Sequence, residues 1–202
     1  MANFAIPIDP QQDLGGAVSY PIKWLIEESA QTFLYGTPVQ IASGDGGVKA
    51  WDGTTVAQGV CGIANQAGAN LGTTGKGAPT GLTPVLGPGS VIGSYSGNPF
   101  QSAGTITPPG VPTNDGRTSF YVAGPTTVFS AAIGNNTNAI ATANTQVGQI
   151  YGMTKDSNNF WYVDTNKSNL VIVTQLDPRD PIGTVGGRVW FTFINSAVQL
   201  FA

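Results

Sequence analysis

The chain has 202 residues, 8 basic and 11 acidic side chains, a net charge of −3 and no histidine. This excludes Ser-His-Asp and Cys-His nucleophilic sites, histidine-ligated zinc, and the basic field that a phosphate backbone requires. Charged residues make up only 9% of the chain, too few for the highly charged disordered class, and the length suffices to bury a core without disulfides.

Residues 1–18 read as an extended N-terminal arm. Pro7 and Pro10 discourage helix, Gly15-Gly16 supplies a hinge, and Phe4, Ile6 and Ile8 alternate on one strand face. That face is expected to clasp an adjoining subunit. The arm lacks the basic and apolar regions of a signal peptide, and no apolar run approaches the roughly 20 residues of a membrane span. Synthesis in the cytoplasm and no membrane partner are the expectation.

Residues 19–202 read as a single β domain. Over 19–33, Ile22, Leu25, Ile26 and Ser29 share a helical face, while Ile22, Trp24 and Ile26 alternate as in a strand. Both readings stand. Val39 and Ile41 within 38–43, the turn Gly44-Asp45-Gly46-Gly47, and 48–51 make a hairpin signal. Asp52-Gly53 is a second turn before strands at 54–57 and 59–64. Cys61, the one cysteine, lies between Val60 and Gly62 and reads as a small buried hydrophobe.

A loop-rich insertion follows at about 65–117. Its stretch 68–112 holds eleven glycines and seven prolines, too many for helix or a central strand. It nevertheless keeps spaced apolar residues, among them Leu71, Leu82, Leu86, Tyr95 and Phe100. A solvated linker has no use for these. With Phe4, Ile6 and Ile8 they form the expected interface with a neighbouring subunit.

Strands resume at 119–123, 126–133, 146–154, 160–163, 169–176 and 188–195, with 155–159 a turn by composition. In the last strand Val189, Phe191 and Phe193 alternate with Trp190, Thr192 and Ile194, so both faces should be covered. The expected fold is all-β, an antiparallel β-sandwich or barrel with a long Gly/Pro-rich insertion and an extended N-terminal arm.

No catalytic or metal site is expected. Glu27 and Glu28 are neighbours whose side chains diverge. Asp45, Asp52, Asp156 and Asp164 sit at strand ends among turn residues. Asp164-x-Asn166-x-Ser168 opens like a calcium loop, but Asn169 stands where glycine belongs and Gln175 where glutamate belongs. Asp177-Pro178-Arg179-Asp180-Pro181 would hold Arg179 in a fork between carboxylates, a structural pairing. Gly75-Lys76-Gly77 and Gly87-Pro88-Gly89 lack the spacing of phosphate-binding loops. The tryptophans and tyrosines are scattered rather than gathered into a sugar platform. No enzyme activity, cofactor or nucleic-acid partner is expected.

The run Gly36-Thr37-Pro38-Val39-Gln40-Ile41-Ala42, then a turn, Val48-Lys49-Ala50 and Gly59-Val60-Cys61-Gly62-Ile63-Ala64 resembles the core pattern of tailed-bacteriophage capsid cement, or head decoration, proteins. The segment from Asp180 to Phe193 resembles a virion-protein closing strand. The resemblance implies a structural protein on the outer capsid surface that contacts the major capsid protein and stabilises contacts between its subunits. It further implies a homo-oligomer, frequently a trimer at local three-fold positions. The alternative is a phage tail, fibre or surface adhesion module binding a host glycan or protein. Fibre shafts show short repeats, and no fixed period occurs here.

Overall fold

The computed structural model describes residues 6–14, 20–26, 28, 31, 33–43, 46–65, 117–136 and 138–200. These are nearly all β. Twelve strands follow in chain order: β1 (Asp9–Asp13), β2 (Ile22–Ile26), β3 (Pro38–Ile41), β4 (Val48–Ala50), β5 (Gly62–Ala64), β6 (Arg117–Val122), β7 (Thr127–Asn135), β8 (Asn138–Ala139), β9 (Ile150–Lys155), β10 (Trp161–Asp164), β11 (Val171–Leu176) and β12 (Arg188–Phe193).

Five of these strands close a barrel. β7 pairs with β10, β10 with β9, β9 with β11, β11 with β12, and β12 returns to β7. The β7–β10 pairing is parallel, with Val163 opposite Ile133, which corrects the expectation of an antiparallel architecture throughout. The reason is arithmetic: a closed ring with an odd number of strands cannot alternate direction at every step. Closure removes the free edges that such a sheet would otherwise expose.

The other sheet runs β2-β6-β5-β3-β4, all antiparallel. Of the two readings open for residues 19–33, the strand forms over Ile22–Ile26. The strand expected at 54–57 does not. The Asp52 carboxylate instead accepts the Thr54 and Thr55 N–H groups at 2.7 Å and the Thr55 hydroxyl at 2.6 Å, while the Trp51 indole donates to the Thr55 carbonyl at 2.7 Å. A side chain that takes up backbone donors in this way offers a turn in place of a ladder. Burial alone would raise the Asp52 pKa, but these hydrogen bonds from Thr55 and Thr54 outweigh it and lower it to about 2.

The larger core draws on both sheets: Trp51, Val60 and Ile63 pack with Phe129, Trp161, Phe191, Phe193 and Val198. Trp51 and Trp161 meet at 5.1 Å between ring centroids. The seam is also tied by backbone, because the N–H groups of Gly59 and Val60 both donate to the Ala197 carbonyl, at 2.9 and 3.0 Å. A smaller core holds Phe33, Val39, Val48, Cys61, Phe120 and Val122. Cys61 is fully buried, and that burial pushes its thiol pKa well up. Gly62 is required where β5 crosses β6, since a Cβ there would sit 2.3 Å from the Phe120 ring.

The N-terminal residues differ from the expected arm. β1 adds antiparallel to β7, with Asp9 opposite Ser130, and the Tyr35 hydroxyl donates to Asp9 at 2.5 Å. Ile8 is completely buried in the chain's own larger core. Its alternation with Ile6 did signal a buried position, but the burial is internal, so Ile8 is not available to clasp a neighbour. Ile8→Ala is therefore expected to cost about 2–4 kcal/mol, read as a lower denaturation midpoint at unchanged slope. Deleting residues 2–14 should destabilise the isolated chain for the same reason. A deletion variant with the parent's midpoint would contradict this placement.

Candidate functional site

Two loops lie side by side at the barrel end remote from the second sheet: 140–149, between β8 and β9, and 177–187, between β11 and β12. β12 starts at this end and runs toward the seam at Ala197. The Gly183 N–H donates to the Thr142 carbonyl at 2.9 Å and lies 3.1 Å from the Thr142 hydroxyl oxygen. The Thr142 N–H donates to the Thr184 carbonyl at 3.1 Å, and Gly186 donates to Ile140 at 2.8 Å. Ala141 and Val185 form an antiparallel bridge. These contacts lock the loops to one another.

Each loop is also braced internally. The Gln146 amide accepts from Ala143 and donates to the Ala141 carbonyl, both at 3.0 Å. The Thr184 hydroxyl donates to the Pro181 carbonyl at 2.6 Å. Gly183 and Gly186 take φ values of +91° and +70°, a left-handed backbone that disfavours a side chain. What this bracing holds outward is apolar: Ile182 is 65% exposed, Val185 67% and Val147 39%. Residues 138–149 and 181–187 contain no charged side chain at all.

The charges sit at the root of the second loop. The buried Asp177 carboxylate accepts from the Arg179 N–H at 2.9 Å, from the Arg179 guanidinium through Nε and a terminal nitrogen, and from the Ser130 hydroxyl at 2.8 Å. Asp180 accepts from Arg188 through its backbone N–H and its guanidinium, each at 2.8 Å. The expected fork of Arg179 between two carboxylates is thus corrected: Arg179 pairs with Asp177 and Arg188 with Asp180, and the Arg188 Nε also lies 3.9 Å from the Asp177 carboxylate. Arg188 emerges from β12 beside Asp180 and takes up that carboxylate before Arg179 can. Burial by itself would raise the Asp177 pKa, but the Arg179 and Ser130 hydrogen bonds hold it well below the usual carboxylate range. The Trp190 indole nitrogen is buried beside this group without a hydrogen bond of normal geometry.

Asp164, the acid that opened the calcium-like run, is committed to backbone. It accepts from the Asn136 and Asn166 N–H groups at 2.9 and 3.0 Å and from the Thr154 hydroxyl at 2.8 Å. Among the described residues no three cysteine, aspartate or glutamate side chains converge as metal ligands would.

Of the residues expected at an interface, Phe4, Leu71, Leu82, Leu86, Tyr95 and Phe100 lie outside the described residues, Ile6 is half-buried, and Ile8 is in the core. The exposed apolar residues Ile182, Val185 and Val147 were not singled out from sequence. Their signal was an isoleucine and a valine set among glycines in a charge-free stretch, within the segment taken as the approach to a closing strand. No known protein family, curated protein or solved structure matches this chain.

Proposed function

We propose that the chain is a non-enzymatic structural protein of a phage virion, which docks on the outer capsid surface through the uncharged end of its barrel and stabilises contacts between major capsid subunits. The braced loop pair, uncharged over 138–149 and 181–187 and bearing Ile182 and Val185, is the observation that carries this reading. Interface cores are depleted in charge because desolvating an unpaired ion is costly, whereas exposed Ile and Val gain by being covered. A loop already locked by hydrogen bonds loses little further freedom on docking. The Gly/Pro-rich stretch at 65–117, with Leu71, Leu82, Leu86, Tyr95 and Phe100, supplies a second apolar contact in this reading. A homo-oligomer, most simply a trimer, would multiply modest contacts into firm attachment.

The test is a double substitution, Ile182→Asp with Val185→Asp, added to particles stripped of the native protein. Both positions are solvent-facing, so the variant should fold with a melting temperature close to the parent's. It should fail to co-sediment with the particles, because two carboxylates would have to be buried against the shell. Full occupancy of the particles by the folded variant would rule out this face as the docking surface.

A further inference from the structure

A groove of about 260 Å³ opens where the second sheet meets the β9–β10 turn of the barrel, lined by Gln31, Phe33, Leu34, Thr37, Ala50, Lys155 and Asn159. Its walls come from three separate segments, 31–37, Ala50 and 155–159. Phe33 is buried, and Leu34, 40% exposed, offers an apolar surface. The polar lining is held in place by local structure. The Gln31 side-chain amide oxygen accepts the Ala50 N–H at 3.1 Å, and Thr37 is fixed through its backbone to Leu34 and Ala64. Asn159 sits in a left-handed conformation, φ +67°, with its N–H on the Asp156 carbonyl.

Among the described residues, Lys155 brings the only charge to this lining. Among the described residues it has no ion pair. The neighbouring acid, Asp156, is turned to the chain, accepting the Asn158 and Phe160 N–H groups at 2.8 and 2.9 Å. A cation at the mouth of a groove, three neutral hydrogen-bonding side chains within it and an apolar wall make a definite chemical request.

We infer that this groove is a subsite for an acidic monosaccharide unit, its carboxylate on Lys155, its hydroxyls on Gln31, Thr37 and Asn159, and its C–H face against Leu34. The volume suits one sugar ring and is below that of a site for larger ligands. Three neutral polar groups to one cation match a ring of hydroxyls bearing one carboxylate better than they match a peptide terminus, which would present one carboxylate and an apolar side chain. The site is separate from the barrel end, so its failure leaves the docking role standing.

The experiment is an NMR titration of the full-length, isotope-labelled protein with glucuronic acid, N-acetylneuraminic acid, glucose and N-acetyl-leucine as four separate probes. At least one of the two acidic sugars should shift the amides of Thr37, Ala50, Lys155 and Asn159, with a Kd on the order of 1 mM for so small a ligand. Lys155→Gln should weaken that sugar about fivefold, the size of an exposed ion pair, while leaving the weaker binding of glucose unchanged. Thr37→Val, which keeps the side-chain shape, should weaken both sugars. Three results overturn the assignment: no shifts from either acidic sugar at saturation, glucose binding as tightly as the acids, or N-acetyl-leucine binding more tightly, which would mark a peptide-carboxylate site.

Discussion

Phe191→Ala is expected to lower stability by about 4 kcal/mol, the largest effect of any single truncation considered for this fold. Phe191 is fully buried, with its ring 6.0 Å from that of Phe129 and 5.7 Å from that of Phe193. Phe129 and Phe193 complete the triangle at 5.8 Å. Its strand, β12, is the one that shuts the ring, with Phe191 opposite Val173 on one side and Phe129 on the other. A cavity there is walled by hydrogen-bonded strands on both sides and cannot collapse, which puts the cost toward the upper end for such truncations. In a chain of this length the melting temperature should fall by about 10 °C. Val147→Ala, on an exposed loop, serves as the control and should stay within about 0.5 kcal/mol. Similar losses for the two variants would show that the ring of phenylalanines is not the centre of the core.

Asp177→Asn should cost about 3 kcal/mol, because it strips the partner from Arg179 and places an amide N–H₂ where donors converge. Arg179 is 45% exposed in its side chain and Asp177 not at all, so the loss belongs at the lower end for a broken buried pair. The pH dependence gives the sharper test. A carboxylate whose pKa is depressed by folding contributes stability that is complete above its unfolded pKa of about 3.9 and is lost as pH falls toward its folded value. Asp177 is such a group, and Asp180, held down chiefly by the Arg188 guanidinium, adds in the same direction. The difference in melting temperature between parent and variant should therefore be constant near neutrality and shrink as pH drops below about 4. A difference that stays the same into strong acid would mean that Asp177 is not held ionised by Arg179.

The parts of this fold that were legible in sequence are those encoded within a few residues. The hairpin of β3 and β4 was marked by Val39, Ile41 and the glycine-rich turn after them, and Cys61 declared its burial by its apolar neighbours. The alternation from Val189 to Phe193 foretold the buried face of Val189, Phe191 and Phe193; on the opposite face Thr192 is buried while Trp190 and Ile194 are half-buried. Barrel closure could not be read this way. It rests on Val163 finding Ile133, thirty residues earlier and in parallel, and no local periodicity records that meeting. β1, with the sequence DPQQD, shows no apolar alternation because it is an added strand whose buried anchor, Ile8, lies just before it. The exposed apolar face was hidden for a related reason. Ile182 and Val185 are exposed only because Thr142, distant in the chain, holds Gly183 and Thr184 in place.

The tie between Gly59, Val60 and the segment at Ala197 and Val198 also fixes an order of events during synthesis. Trp51, Val60 and Ile63 leave the ribosome well over a hundred residues before Val198, the residue whose arrival completes their packing. Until then residues 51–63 must carry apolar side chains with no barrel beneath them, and such exposed surface invites association with other chains or capture by a chaperone. The barrel strands, by contrast, all fall within one continuous stretch from Thr127 to Phe193, so the last third of the chain can assemble promptly once emerged. Folding is then expected to run against the direction of translation, the late-made barrel templating the early-made strands β3 to β5.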